Sequence, residues 1–143
     1  MTMKQKTVTA ALIAMALSAV SLSAYDLKSN MLMLNAELNE VQQGFITSNE
    51  AGVADAIKRF SKDAEHLLGN KEHIAAMLPK GKENKANEAV NSARIIAHNV
   101  QIIEDAIVNK YKQSEKVRRE EAQRAYTYIE HACFNCHNIV RDN

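Results

Sequence analysis

Apolar residues return along this chain every three or four positions, the period of a helix and not of a strand. Leu27, Met31, Leu34, Leu38, Val41 and Phe45 form one such stripe and predict a first helix over about residues 26–48. Val53, Ile57, Phe60, Ala64, Leu67 and Leu68 predict a second over 50–68, with Ser48 or Asn49 as its N-cap and Gly69 as its stop. A third stripe of Ala86, Val90, Ala93, Ile96, Val100, Ile103 and Ile107 lies in a predicted helix over 83–112. The fourth helix opens at Ser114, a suitable N-cap, and carries Ala122, Tyr126, Ile129, Cys133, Cys136 and Val140 on one face. The stretch 69–82 holds Pro79 and Gly81 and has room for a short helical turn over 71–78.

The links between the first and second and between the third and fourth helices are only a few residues long, which makes those neighbours antiparallel. The expected fold is therefore all-α, an up-down-up-down antiparallel four-helix bundle. Composition agrees: the chain has one proline, four glycines and no tryptophan, and it is rich in good helix formers.

The N-terminus changes the picture. Lys4 and Lys6 precede an apolar or small run from Val8 to Val20, and the small residues Ser21, Ser23 and Ala24 follow. This is the pattern of a cleavable export signal over residues 1–24, and its apolar run is short for a membrane span. An uncleaved anchor is the competing reading. The mature part, 25–143, has the size of one domain. Loss of Lys4 and Lys6 takes the formal charge from +1 to −1, because no acidic residue precedes Asp26. Neither that balance nor the composition suggests nucleic-acid binding, and no stable membrane insertion is expected after cleavage.

The chemistry is concentrated in Cys133-Phe134-Asn135-Cys136-His137, which contains the only two cysteines of the chain. C-x-x-C-H is the attachment signature of c-type haem. Two thiols at this spacing can add to the two vinyl groups of one haem, and the adjoining imidazole can bind the iron. A thiol–disulfide redox pair would want a strand before the motif, and a zinc site would want a second Cys/His pair. Neither is present in the sequence pattern. Such haem attachment takes place outside the bacterial inner membrane, so motif and leader together imply the bacterial periplasm. On a helix Cys133, Cys136 and His137 share one side. His137 and Met31 each lie about one turn from the same end of the expected bundle, roughly 6–8 Å deep by helical rise.

A C-terminal C-x-x-C-H on the last helix of a small exported four-helix chain resembles the cytochrome c-prime family, the class II c-type cytochromes. The similarity spans essentially the whole mature chain, and its most specific part is Cys133-x-x-Cys136-His137-x-x-Val140-Arg141. Members commonly carry an aromatic residue and then an arginine after the haem histidine. Arg141 fits, implying a role on the proximal side, and Val140 departs from the aromatic. One branch of the family closes the distal face with an apolar side chain and binds nitric oxide or carbon monoxide. In the other a methionine of the first helix ligates the iron, and Met31 occupies that place here. The resemblance thus implies one covalently attached haem c with Cys133 and Cys136 as anchors. It also implies His137 as proximal iron ligand, Met31 as distal ligand, and electron transfer without enzymatic turnover. The gas-binding cytochrome c-prime is the alternative, and a helical bundle without haem, bearing a disulfide-prone C-x-x-C, is a third reading.

Met77 and His73, in the connector, are rival distal ligands, although Ile74, Met77 and Leu78 read better as a roof over the pocket. Met33 lies off the first stripe, followed at helical spacing by Glu37 and Glu40, and reads as partly exposed. His66, His98 and His131 project away from their apolar stripes and read as solvated. Lys28, Lys71, Lys80, Lys82 and Lys85 gather toward the haem end, where Asp26, Glu72, Glu83 and Asp142 dilute their field. Lys28 is a candidate to pair with a haem propionate. The expected partners are redox proteins that the sequence does not identify. Ile95 and Ile102 sit on the outer side of the third helix, as a wider helix contact or a homodimer patch.

Overall fold

The computed structural model describes the backbone of residues 19–141 and the side chains of residues 27–141. The side chains of the expected leader, and Asp26 and Asp142, lie outside the described residues. Helix α1 spans Ala19–Ile46, α2 Glu50–Leu68, α3 Lys71–Met77, α4 Ala86–Ile107 and α5 Glu115–Val140, with a single 3-10 turn at Glu83–Lys85. Among the described residues there is no strand, and the arrangement is consistent with a helical bundle. The tightest neighbours are α4 with α5 and α1 with α2, and α2 packs on α4 to join the two pairs. No helix among the described residues is long and apolar enough to cross a membrane.

The helix ends follow local chemistry. Asn49 caps α2 by accepting a hydrogen bond from the Gly52 amide at 3.0 Å, Asn70 caps α3 through the His73 amide at 2.7 Å, and Ser114 caps α5. Gly44 sits where α1 meets α2, and a Cβ there would stand 2.6 Å from Val53 Cγ2, so the approach of the two helices depends on its missing side chain.

The third predicted helix differs from the structure at both ends. It begins as the 3-10 turn, and it stops at Ile107, where the apolar stripe itself runs out. Beyond that point Val108 and Tyr111 are exposed, and Asn109 and Lys112 adopt left-handed backbone with φ of 51° and 54°. Side chains replace the lost helical bonds. Asn109 Oδ1 accepts from the Gln113 amide at 2.8 Å, and Asp105 accepts from Lys110 Nζ at 2.9 Å.

The core holds all four stripes. Val41, Ile57, Phe60, Ile103 and Ile129 are its largest fully buried side chains. Phe45 of α1 meets Tyr126 of α5 edge to face, with ring centroids 6.0 Å apart. The Tyr126 hydroxyl donates to Glu130 Oε1 at 3.1 Å, and burial, helped by the Glu130 charge, pushes the phenol up to about 12.

Two charged residues are drawn inward. Arg118 Nη1 donates to the carbonyls of Ala106 at 2.8 Å and Ile107 at 3.3 Å, closing the end of α4, and to Glu50 Oε1 at 3.1 Å, holding the start of α2. Glu37, which its helical spacing grouped with exposed positions, is instead only 7% exposed, on the edge of the α1 stripe beside Leu34 and Leu38. Its Oε2 is buried with no hydrogen-bond partner among the described residues. Burial is the main cause that raises its carboxyl above the usual range, and the nearby Asp63 carboxyl adds to it.

Two tests follow from these groups. Arg118→Met keeps the aliphatic stem and loses the bonds to α4 and α2, so denaturant unfolding should show a loss of about 2 kcal/mol. Arg119→Met, which breaks only an exposed pair with Glu115, should cost no more than about 0.5 kcal/mol. For Glu37, the native state keeps a proton that the unfolded chain has released. Its contribution is therefore fully present below the unfolded carboxyl range and is lost as pH rises through the raised native value. Glu37→Gln removes that loss, so the variant's melting temperature should gain on the parent's as pH rises above the unfolded carboxyl range. A constant difference between the two curves would refute the assignment.

Candidate functional site

The last three turns of α5 change character. Up to Ala132 its inward face is sealed, with Ala122, Ala125, Ile129 and Ala132 buried. Beyond it the same face carries Cys133, Cys136 and His137, all half-buried, while Phe134 and Asn135 between the cysteines are exposed. Both thiols are free.

The two cysteines meet different surroundings. Cys133 packs on the main core, the cluster against which Leu27, Met31 and Met77 also pack. Cys136 packs on a second apolar group of Ile74, Ala86 and Ala89, beside Leu68, Leu78 and Val90. One thiol therefore borders the main core and the other borders the connector and the start of α4. The connector also reaches the end of α5 directly, where Lys82 Nζ donates to the Ile139 carbonyl at 3.4 Å.

Burial governs the chemistry of these groups. It pushes the Cys133 thiol up to about 11, with the neighbouring Cys136 and Glu130 adding to the effect. It raises the Cys136 thiol as well, with a smaller contribution from Glu88. It lowers the His137 imidazolium, and the Arg141 guanidinium one turn on lowers it further. At neutral pH the site thus presents two neutral thiols and a neutral imidazole. The imidazole is in the form that binds a metal. The thiols are intact for thioether formation.

The other predicted residues fall as follows. Met31 and Met77 are both half-buried against the core that Cys133 borders, whereas Met33 is 40% exposed. Lys28 and Arg141 are exposed, as are Lys71, Lys80 and Lys85, while Lys82 is half-buried. Ile74 is buried, and Leu78 is half-buried beside it, so the connector's apolar residues do face inward. His66, His98 and His131 are exposed. So is His73, which turns toward His66 and away from the core, with the two ring centroids 6.5 Å apart. Ile95 is exposed and Ile102 half-buried on the outer side of α4.

Two features of the site were not found by sequence reasoning. The charge of Glu88, on α4, acts on the Cys136 thiol across two helices, which no single stripe reveals. Lys82 was grouped with the solvated lysines, yet it anchors the connector to α5. Its place just after Pro79 and Gly81, at the end of an irregular segment, was the available signal.

No protein-family model matches the chain, and comparison with curated proteins and with solved structures found no match.

Proposed function

We propose that this chain is a monohaem c-type cytochrome of the class II, cytochrome c-prime type, exported to the bacterial periplasm, where it carries single electrons. One observation carries the reading. The two free cysteines lie one turn apart on the inner face of the last helix, followed at once by a half-buried imidazole. In the proposed architecture the four long helices run up-down-up-down, and the haem lies at the end shared by the start of α1 and the close of α5.

The donor set suits the group. Cys133 and Cys136 each add a thiol across a vinyl group, forming two thioethers and leaving no free cysteine. His137, kept neutral by burial, serves as the proximal iron ligand. Met31 would be the distal ligand, a half-buried thioether that packs on the same core as Cys133. When bound, the haem supplies the one-electron Fe(III)/Fe(II) couple. A His/Met pair favours the ferrous form and raises the potential. Ile74, Met77 and Leu78 exclude water from the connector side. Arg141 holds positive charge near the proximal imidazole, and Lys28, in the part of α1 that would open the mature chain, is the cation available to a propionate. Redox proteins are the partners. The chain needs no substrate-transforming step and is read as a carrier, not an enzyme.

Protein recovered from the periplasm of a host competent in cytochrome maturation should retain the haem mass after denaturation. Cys133→Ala and Cys136→Ala should each lose one thioether and lower the holo yield, and His137→Ala should abolish the native spectrum. A mature chain carrying only free thiols or a disulfide would defeat the proposal.

The distal ligand has its own test. The wild-type spectrum should be low-spin and six-coordinate, and Met31→Leu should give a high-spin site that takes up carbon monoxide readily. Met33→Leu should change little. A wild-type protein that is already high-spin and binds carbon monoxide would replace electron transfer with the gas-binding reading.

A further inference from the structure

His66 and His73 lie seven residues apart on two consecutive helices. His66 belongs to the last turn of α2, and His73 is the third residue of α3. The structure brings their rings to 6.5 Å between centroids, at an interplanar angle of 66°. Both side chains are exposed, so their ring nitrogens are open to solvent.

The backbone beneath the pair is specified on both sides. The Gly69 amide donates to the Glu65 carbonyl at 2.9 Å and ends α2. A Cβ on Gly69 would stand 2.5 Å from that same carbonyl oxygen, so the tight exit from α2 selects glycine. One residue later the Asn70 side chain accepts from the His73 amide at 2.7 Å and starts α3. Ile74 is buried and Leu68 packs on it, which fixes the two helix ends against each other from below. The two imidazoles therefore stand on a rigid base.

We propose that His66 and His73 form a surface binding site for a divalent transition-metal ion that prefers imidazole, with Zn2+ as the test ion. An imidazole centroid stands about 3.2 Å from a zinc ion bound at the usual Zn–N length, so a tetrahedral ion brings two ring centres to about 5 Å. Coordination of one ion requires the two exposed rings to rotate out of their T-shaped arrangement and close from 6.5 Å toward that value. Among the described residues no group of three or more His, Cys, Asp or Glu converges as a metal site. Water completes the coordination shell, and the site stays open and exchangeable. The order of affinities among divalent ions places Cu2+ above Zn2+ on such nitrogen donors. A bound ion ties the end of α2 to α3, the segment whose inner side packs next to Cys136.

The test is zinc titration of the mature full-length protein by calorimetry, with the melting temperature followed in parallel. One zinc should bind per chain, and the melting temperature should rise with zinc concentration as mass action requires. His66→Ala and His73→Ala should each weaken binding at least tenfold and remove the thermal response. His98→Ala and His131→Ala should bind as the parent does. Both rings are exposed, so the variants should keep the parent's melting temperature in a chelator, which separates loss of binding from loss of fold. Absence of zinc binding, or binding within twofold of the parent in either variant, would overturn the site and leave the two rings as an aromatic pair only.

Discussion

The close packing of α5 against α4 is the constraint on which the rest depends. Helix α5 brings Ala122, Ala125 and Ala132 inward, and α4 contributes Ala86, Ala89 and Ala106 among its buried residues. Small side chains let two helices approach closely, because no long side chain holds the backbones apart. Ile129 of α5 and Ile103 of α4 are fully buried in the main core with Ala106, Ala122, Ala125 and Ala132. The position of α5 fixes in turn where Cys133, Cys136 and His137 stand. They continue the same face past the last alanine, at the point where the seal opens.

The two ends of α5 are held in different ways. At its start Arg118 reaches across to the carbonyls that end α4 and to Glu50 at the head of α2, so one guanidinium ties three helices. Such charge-assisted bonds are directional and leave little freedom. At its close the ties are apolar packing against the connector and one bond from Lys82 to the Ile139 carbonyl. Apolar packing is not directional and tolerates a change of neighbour better than a hydrogen-bond network does. Under the proposed reading this asymmetry is useful. The polar lock keeps the bundle in register, while the apolar end receives a large flat group among Met31, Met77, Ile74 and Leu78.

The stripes were readable because each is regular and because its residues have no other place to go. The bounds of α2 and the opening of α5 at Ser114 were legible for the same reason, with a cap residue standing at each start. The end of α4 was less so. Val108 and Tyr111 look like more of a helix, but they fall off the stripe of Ile103 and Ile107, and burial, not propensity, decides where a helix is held. Glu37 was misread because helical spacing marks a face without saying how wide the neighbouring helix is. Here α2 covers one position beyond the apolar stripe and takes the carboxylate in. The motif residues themselves were plain in the sequence, but their division between two apolar groups was not. That division depends on how the connector folds back, and a stretch containing Pro79 and Gly81 has no period from which to read it.

Burial is also what joins fold to chemistry in this chain. The same desolvation acts on Glu37, Tyr126, Cys133, Cys136 and His137, and in each it favours the uncharged form. For Glu37 it is a cost, because one carboxyl oxygen is buried without a hydrogen-bond partner among the described residues. For the site residues it has a different consequence. A neutral imidazole offers a lone pair, and an interior with few fixed charges leaves a charge change at the proposed iron poorly screened. The oxidation state there would then be set mainly by the axial ligands and by the nearest cation, Arg141, whose charge already acts on His137 in the opposite sense to protonation. Cys133 and Cys136 keep the inner face of α5 apolar beyond Ala132 while His137 adds a lone pair to it, so under the proposed reading one face supplies both the anchors and the ligand of the haem.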